Sequence, residues 1–303
     1  MRDQGSAVPA VSILIPVYNG ARHVACALDS VLGQDFLDFE LVCVDDGSTD
    51  GTAKILEKYA AKDQRVRIVT NPENRGTLHA RVTAVRAAGG NFVLFLDADD
   101  RMEPGIVKVA HAAAVAGGVD VVLFRLWSRR IGWRTKMFVH EEANLPDNHL
   151  GRIFSACEIG AISKNFCLAV AVLFNKLIRR EIFSNALNSI PQTLLNEHIC
   201  YYEDIFLVAL IILRSNLWLA ISNFGCRRIT SMASLGVQQK TDKCAFQHSQ
   251  RDIGLIKEHL RATLSPEEWS IIGNLFNGVN FCEMGARLAF AKFERLRQIL
   301  RKF

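Results

Sequence analysis

Asn91 to Pro104 reads Asn-Phe-Val-Leu-Phe-Leu-Asp-Ala-Asp-Asp-Arg-Met-Glu-Pro: an unbroken apolar run, Phe92 to Leu96, followed at once by Asp97, Asp99 and Asp100. A short apolar run closed by polar residues is the pattern of a strand buried on both faces, as in a parallel sheet. In open α/β sheets, ligands bind just beyond the carboxyl ends of such strands. Carboxylates placed there can hold a hard divalent cation, which takes oxygen ligands and can carry substrate phosphates. Asp is also favoured as a helix N-cap. Capping uses one Asp, however, and this stretch supplies three within four residues. A cation site is therefore the expectation.

At 303 residues the chain has room for one large α/β domain or two smaller ones. Half of its residues are apolar and 22% are charged, which suits a soluble globular enzyme with a substantial core. The net charge of +5 is compatible with phosphorylated ligands or an anionic membrane surface. It is too small to argue for nucleic acid as a partner. The eight cysteines are scattered, with no Cys-x-x-Cys pair. That argues against a disulfide framework or a zinc site and for a reducing, cytoplasmic compartment. Met1 to Pro9 lacks the apolar segment of a signal peptide. Ile205 to Ile221, interrupted by Arg214, Ser215 and Asn216, is too short and broken to span a bilayer and reads as a buried helix followed by a short strand.

In chain order, the strand candidates are Val11–Val17, Glu40–Val44, Val66–Thr70 and the run at Phe92–Leu96. Helical patterns lie between them at Ala21–Leu32, Thr52–Ala61 and Thr77–Ala88. This alternation, with strands recurring every roughly 25 to 30 residues, predicts a parallel, doubly wound sheet. Right-handed crossovers then place Pro16–Asn19, Asp45-Asp46 and Asp97–Asp100 along one edge. Asp45-Asp46-Gly47-Ser48 on its own is equally a plain strand-to-helix turn. Gly89-Gly90 is no phosphate loop, because no helix starts after it. No G-x-G-x-x-G or P-loop pattern occurs, so a dinucleotide or ATP-hydrolysing site has no support.

Four segments occur in order: Val-Ser-Ile-Leu-Ile-Pro-Val-Tyr-Asn (Val11–Asn19), Val-Asp-Asp-Gly-Ser-Thr-Asp-Gly-Thr (Val44–Thr52), Asn-Arg-Gly (Asn74–Gly76) and Phe-Leu-Asp-Ala-Asp-Asp (Phe95–Asp100). Together they closely resemble the family 2 glycosyltransferases of GT-A fold. The resemblance continues more weakly through Leu-Phe-Asn-Lys-Leu-Ile-Arg-Arg-Glu-Ile-Phe (Leu173–Phe183), Glu203-Asp204-Ile205-Phe206, and Arg227-Arg228 with Ser231. It implies a doubly wound, mainly parallel α/β sheet flanked by helices. The catalytic domain would cover residues 1–230, with a nucleotide-sugar half at 1–110 and an acceptor half at 111–230, and residues 231–303 would form a helical extension.

The resemblance also implies roles for individual residues. Pro16, Val17, Tyr18 and Asn19 would line the base and ribose pocket, with Tyr18 against the base. Asp46 would accept a hydrogen bond from the base, and Arg81 would stand near the nucleotide. Asp97, Ala98 and Asp99 match the family's Asp-x-Asp motif, with Asp99 the main ligand of Mn²⁺ or Mg²⁺ and Asp97 facing ribose and metal. Asp204 matches the catalytic base. The chain departs from the commoner pattern at Val82, where Asn is frequent, and at Cys226, where an aromatic residue is frequent.

Those residue types suit the chemistry. A cation neutralises a departing diphosphate as a Lewis acid, and a positioned carboxylate takes the proton of an attacking hydroxyl. The expected activity is inverting transfer of a sugar from a nucleotide-sugar, UDP-linked as first choice, to a glycan or lipid-linked acceptor. Asp204 also fits a plain first-turn helix acid. Arg227 and Arg228 fit either a diphosphate contact or a solvated basic pair.

Further along, Asp120–Trp127 reads as another strand, Ser128–Leu150 as a long mixed loop, and Ser265-Pro266-Glu267-Glu268 as a helix start. In Gly285–Phe303, Ala289, Phe293, Leu296, Leu300 and Phe303 make one apolar stripe among Arg and Lys. Such a helix lies on an anionic membrane surface or packs on this domain or a second copy. Two other classes compete with an enzyme of this family. One is a non-catalytic nucleotide-sugar-binding partner subunit of another transferase. The other is a nucleotidyltransferase, which would need a Gly-rich loop with Arg and Lys that Tyr18-Asn19-Gly20 does not supply.

Overall fold

The computed structural model describes residues 8–130, 137–138, 145, 147–162, 170–230, 243–273 and 275–276. Its first half alternates as the apolar pattern requires: β1 (Val11–Val17), α1 (Val24–Leu32), β2 (Phe39–Asp45), α2 (Thr52–Ala60), β3 (Val66–Thr70), α3 (Thr77–Ala87) and β4 (Phe92–Phe95). Every residue of β2 and β4 is buried, the signature of strands covered by helices on both faces. β3, β2, β1 and β4 lie side by side and all run parallel. The helix α1 starts later than its periodicity predicts. The Ala21 N–H donates to Asp50 Oδ2 at 3.1 Å, and residues 21–23 form a turn before the helix begins.

The second half consists of β5 (Arg101–Met102), α4 (Ile106–Gly117), β6 (Val121–Arg130), β7 (Met137–Phe138), β8 (Ile153–Ser155), α5 (Ala156–Ile162), β9 (Lys176–Arg179), α6 (Arg180–Leu187), α7 (Gln192–Leu195), α8 (Glu203–Arg214), β10 (Leu217–Thr230) and α9 (Lys243–Thr263). One sheet holds everything, in the order β3-β2-β1-β4-β9-β6-β10-β5, with β7 on β6 and β8 on β10. The unbroken parallel run stops at β4, although β6 and β10 pair parallel again. β9 inserts antiparallel between β4 and β6, and β5 and β8 run antiparallel to β10. The sheet is therefore parallel in one half and mixed in the other.

The strand expected to end near Ile221 extends to Thr230. Its register against β6 shifts between Ala220 and Phe224 and again before Cys226, so Ser222-Asn223 is accommodated as a bulge and pairing resumes. Phe224 stacks on Trp127 at 4.1 Å across that irregularity. The helix start at Ser265 is present as a capping box: the Glu268 N–H donates to Ser265 Oγ at 3.2 Å, and Glu268 Oε2 accepts the Ser265 N–H at 2.9 Å.

A single hydrophobic cluster runs from β1 through α8 to Ile253, Ile256, Leu260 and Ile272, so the helices after residue 243 pack on the same core. Gly90 lies directly on β1. A Cβ there would meet the Ser12 nitrogen at 2.6 Å, which explains the glycine by close packing. Among the described residues no helix is long and apolar enough to cross a membrane. Most of the Ser128–Leu150 loop and all of Gly285–Phe303, with its expected membrane or self-association surface, lie outside the described residues.

Candidate active site

Three strand ends converge as the topology demands. Beyond β1, Asn19 takes a positive φ of 50° and its Oδ1 accepts the Thr49 N–H at 2.8 Å. The Asn19 N–H donates to Ser48 Oγ at 2.9 Å, and the Gly20 N–H donates to Thr52 Oγ1 at 2.9 Å. Ser48 and Thr52 therefore lock the β1 and β2 loops to each other. A Cβ built on Gly20 would lie 3.8 Å from Ala98 Cβ, which places the β4 loop against the same edge. Pro16 and Val17 form the floor, half-buried and buried, and Tyr18 is 47% exposed, an aromatic face left open at the strand end.

Asp46 points inward. Its carboxylate accepts Asn71 Nδ2 at 2.6 Å, the Gly76 N–H at 3.0 Å and the Arg75 N–H at 3.2 Å. It thus knits the β2 loop to the Asn71–Gly76 loop that follows β3. A carboxylate has about four lone-pair sites, so a further donor from a base is chemically admissible while the three bonds persist. Gly76 sits at φ 90°, and a Cβ on it would come within 2.8 Å of the Ile199 carbonyl oxygen. Only glycine serves there.

The acids gather around one cation of the chain itself. Arg81, on α3, is 3% exposed. Its Nη2 lies 3.0 Å from Asp97 Oδ1 and 3.1 Å from Asp204 Oδ1, and its Nε lies 3.4 Å from Glu203 Oε1. Its guanidinium also sits over the Phe95 ring at 5.3 Å. Arg81, expected near the nucleotide, is buried beneath the acids as their common counter-ion. Burial alone would lower the Arg81 pKa, but Asp204, Asp97 and Glu203 outweigh burial and raise it. Asp97 and Asp204 keep 28% and 21% of their side chains exposed, so both face solvent as well as Arg81. Asp99 is half-buried beside them.

Two neighbours of Asp204 have displaced titrations. Burial pushes Glu203 up to about 8, with Asp204 adding to the rise and Arg81 opposing it. Glu203 therefore holds a proton more tightly than an ordinary carboxylate. Lys176 is completely buried, with its Nζ donating to Asn175 Oδ1 at 2.6 Å and to the Val172 carbonyl. Burial pulls it down to about 7, against the attraction of Asp204. Sequence reasoning assigned Lys176 no role. The available signal was a lysine enclosed by apolar residues in Leu173–Ile178. Tyr202, just before the acid pair, is held at φ 64°, a left-handed conformation that costs on the order of 1–3 kcal/mol for a non-glycine residue.

Arg227 aligns with Arg101 across β10 and β5, just after the Asp97–Asp100 loop, and forms an ion pair with Glu103 at 2.9 Å. Cys226, the departure noted in sequence, is buried with its Sγ on the Phe174 carbonyl at 3.2 Å. The Arg228 side chain lies outside the described residues. Among the described residues no three His, Cys, Asp or Glu side chains form a metal cage. Asp97 and Asp99 are hard oxygen donors at a strand end, a set that fits a cation sharing its shell with substrate phosphates and water.

An open α/β sheet with acidic loops meeting beyond its strand ends belongs to the ligand-handling α/β architectures. The profile of Glycosyl transferase family 2 matches residues 12–187, more than half of the chain, and the chain belongs to that family. Among curated relatives, the uncharacterized glycosyltransferase EpsJ of Bacillus subtilis is 29% identical over 199 residues, 65% of this chain and 54% of that protein. Chondroitin synthase of Escherichia coli is 41% identical over 102 residues, 34% of this chain and 15% of that protein. The chain thus spans about half the length of the first relative and far less of the second. S. aureus TarS 1–349 in complex with UDP-GlcNAc superposes with a TM-score of 0.65 at 23% identity, over 88% of this chain and 71% of that one. The mannosyltransferase PcManGT from Pyrobaculum calidifontis, in complex with GDP-Man and Mn²⁺, gives a TM-score of 0.56 at 19% identity, over 94% and 74%. At these identities the likeness establishes a shared fold, the GT-A type that the sequence motifs imply.

Proposed function

We propose that this chain transfers a sugar from a nucleotide-sugar, UDP-linked as first choice, to a hydroxyl of a glycan or lipid-linked acceptor, with inversion at the anomeric carbon. The observation that carries the reading is Arg81 joining Asp97 and Asp204 at 3.0 and 3.1 Å. It ties the donor-side motif and the acceptor-side carboxylate to one buried cation, so both halves of a displacement are held in register.

In this reading Tyr18 offers its exposed ring to the base, and Pro16, Val17 and Asn19 shape the pocket wall around base and ribose. Asp46 keeps its three inward bonds and adds a base contact. Asp99 and Asp97 would hold Mn²⁺ or Mg²⁺, which when bound neutralises the diphosphate as it departs. Asp204, partly exposed beside Arg81, takes the proton of the attacking hydroxyl. Proton transfer to a positioned base contributes about 100- to 10,000-fold to such reactions. Glu203, buried and with its pKa raised by that burial, lies behind Asp204 rather than facing the acceptor side. Arg227, paired with Glu103 through Nε, keeps its Nη donors for a diphosphate contact. In this reading the protein works in the cytoplasm, with peripheral contact at the inner face of the cytoplasmic membrane where a lipid-linked acceptor would lie.

Thermal unfolding with UDP, with and without Mn²⁺ or Mg²⁺, tests the donor half. A ligand at about 100 times its Kd stabilises by about 2.7 kcal/mol, so the transition rises clearly when cation and UDP are added together. Asp99→Ala removes the cation-dependent part of the rise. No stabilisation by UDP or by any nucleotide-sugar in a panel, with cation present, rules the reading out.

A further inference from the structure

The Glu203-Asp204 pair is delivered by a segment, Asn196–Tyr202, that is strapped from two sides. On one side lies the loop that Asp46 organises. The Leu78 N–H donates to the Ile199 carbonyl at 3.1 Å, Arg75 Nη2 donates to Asn196 Oδ1 at 2.9 Å, and the His198 ring meets Asn74 Oδ1 at 3.1 Å. On the other side lies α9, which falls outside the residues matched by the family profile. There Asp252, 1% exposed, accepts the N–H groups of Cys200 and Tyr201 on one oxygen, at 2.9 and 3.1 Å. Its neighbour Arg251 pairs with Glu197 and lies 3.5 Å from the His198 carbonyl.

The two N–H groups held by Asp252 belong to the residues immediately before Tyr202, whose φ of 64° turns the chain into α8. A left-handed non-glycine residue persists only when its surroundings over-determine it. One carboxylate oxygen accepting from the two preceding peptides supplies that constraint from outside the helix. Burying a carboxylate is unfavourable, and Asp252 carries a pKa raised by burial, so packing α9 alone does not account for an acid at this position.

We propose that Asp252 is a positioning residue for Asp204: by clamping the Cys200 and Tyr201 peptides it fixes the turn from which Asp204 meets Arg81 and the acceptor. The proposal rests on the reading of Asp204 as the base. It also assigns α9 a part in the reaction, with the helix anchoring the acceptor-side carboxylate as the Asp46 loop anchors the donor side.

Three measurements on the full chain test this, using Asp252→Ala and Asp252→Asn: amide exchange of residues 199–204, UDP affinity with Mn²⁺, and UDP release from UDP-GlcNAc. Asp252→Ala is expected to speed exchange at Cys200 and Tyr201 about tenfold or more. It should lower kcat by a similar factor, with KM for the donor and UDP affinity within about twofold of wild type. Asp252→Asn, whose amide oxygen can accept the same two N–H groups, is expected to recover most of the exchange protection and of kcat. Wild-type exchange at Cys200 and Tyr201 in Asp252→Ala overturns the proposal. So does an equal loss of UDP affinity and kcat, or failure of Asp252→Asn to recover either readout. Asp204→Asn measured in parallel keeps the two readings apart: if it turns over normally, the base reading falls and the exchange data alone decide whether the clamp exists.

Discussion

Glu203 and Asp204 are adjacent carboxylates in different surroundings. Glu203 is buried and pushed up to about 8, whereas Asp204 keeps a solvent-facing side, and Arg81 meets both. Glu203→Gln, the isostere of a neutral acid, is expected to keep kcat within about threefold of wild type at pH 7, because it preserves the hydrogen-bonding shape of a protonated side chain. A steady-state assay beside wild type checks this, and a loss as deep as that of an Asp204 variant would mean Glu203 acts as an anion. Lys176 gives a pH test with a definite sign. Its folded pKa of about 7 lies below the ordinary value of 10.5, so the unfolded chain binds the proton more tightly between those limits. Its contribution to stability therefore rises with pH across 7 to 10.5 and falls as pH drops toward 7, by at most about 1.4 kcal/mol per pH unit. Lys176→Met is expected to remove that slope in urea unfolding at pH 7.5 and 9.5, and parallel slopes for the two proteins would refute the buried-lysine account.

At the scale of elements, the strand ends do the organising, and they were the most legible part of the sequence. Apolar runs closed by Asp at Val44-Asp45 and Leu96-Asp97 are local signals, and the loops they begin meet as the right-handed crossovers require. Arg81 was legible as a residue near the site but not as a buried one. α3 has Leu78, Ala80, Val82, Ala84 and Val85 all buried around it, so the helix has no clean polar face from which to read a direction. β9 was not legible as a strand between β4 and β6, because its pairing joins residues far apart in the chain and leaves no local mark. The anchoring of Asn196–Tyr202 has the same non-local origin. Gly76 is the test at this scale, since its φ of 90° and the Ile199 oxygen 2.8 Å from a built Cβ both exclude a side chain. Gly76→Ala is expected to lose at least about 2 kcal/mol in denaturant unfolding and to weaken UDP binding. Wild-type stability would show that the two loops do not meet as described.

At the scale of the molecule, the sheet divides the work. In the proposed reading its parallel half presents the donor loops and its mixed half the acceptor-side carboxylate on α8, and Arg81 in α3 pairs with acids from both. The helices after residue 243 share the core with both halves, and α9 reaches the segment before Asp204. The central claim is that donor binding and proton removal are separate duties performed by carboxylates that one buried arginine holds together. Asp204→Asn measures it most directly, by UDP affinity with Mn²⁺ and by turnover of a nucleotide-sugar on the same preparation. Affinity within about twofold of wild type with turnover reduced about 100-fold or more is the predicted result. Turnover equal to wild type would contradict it.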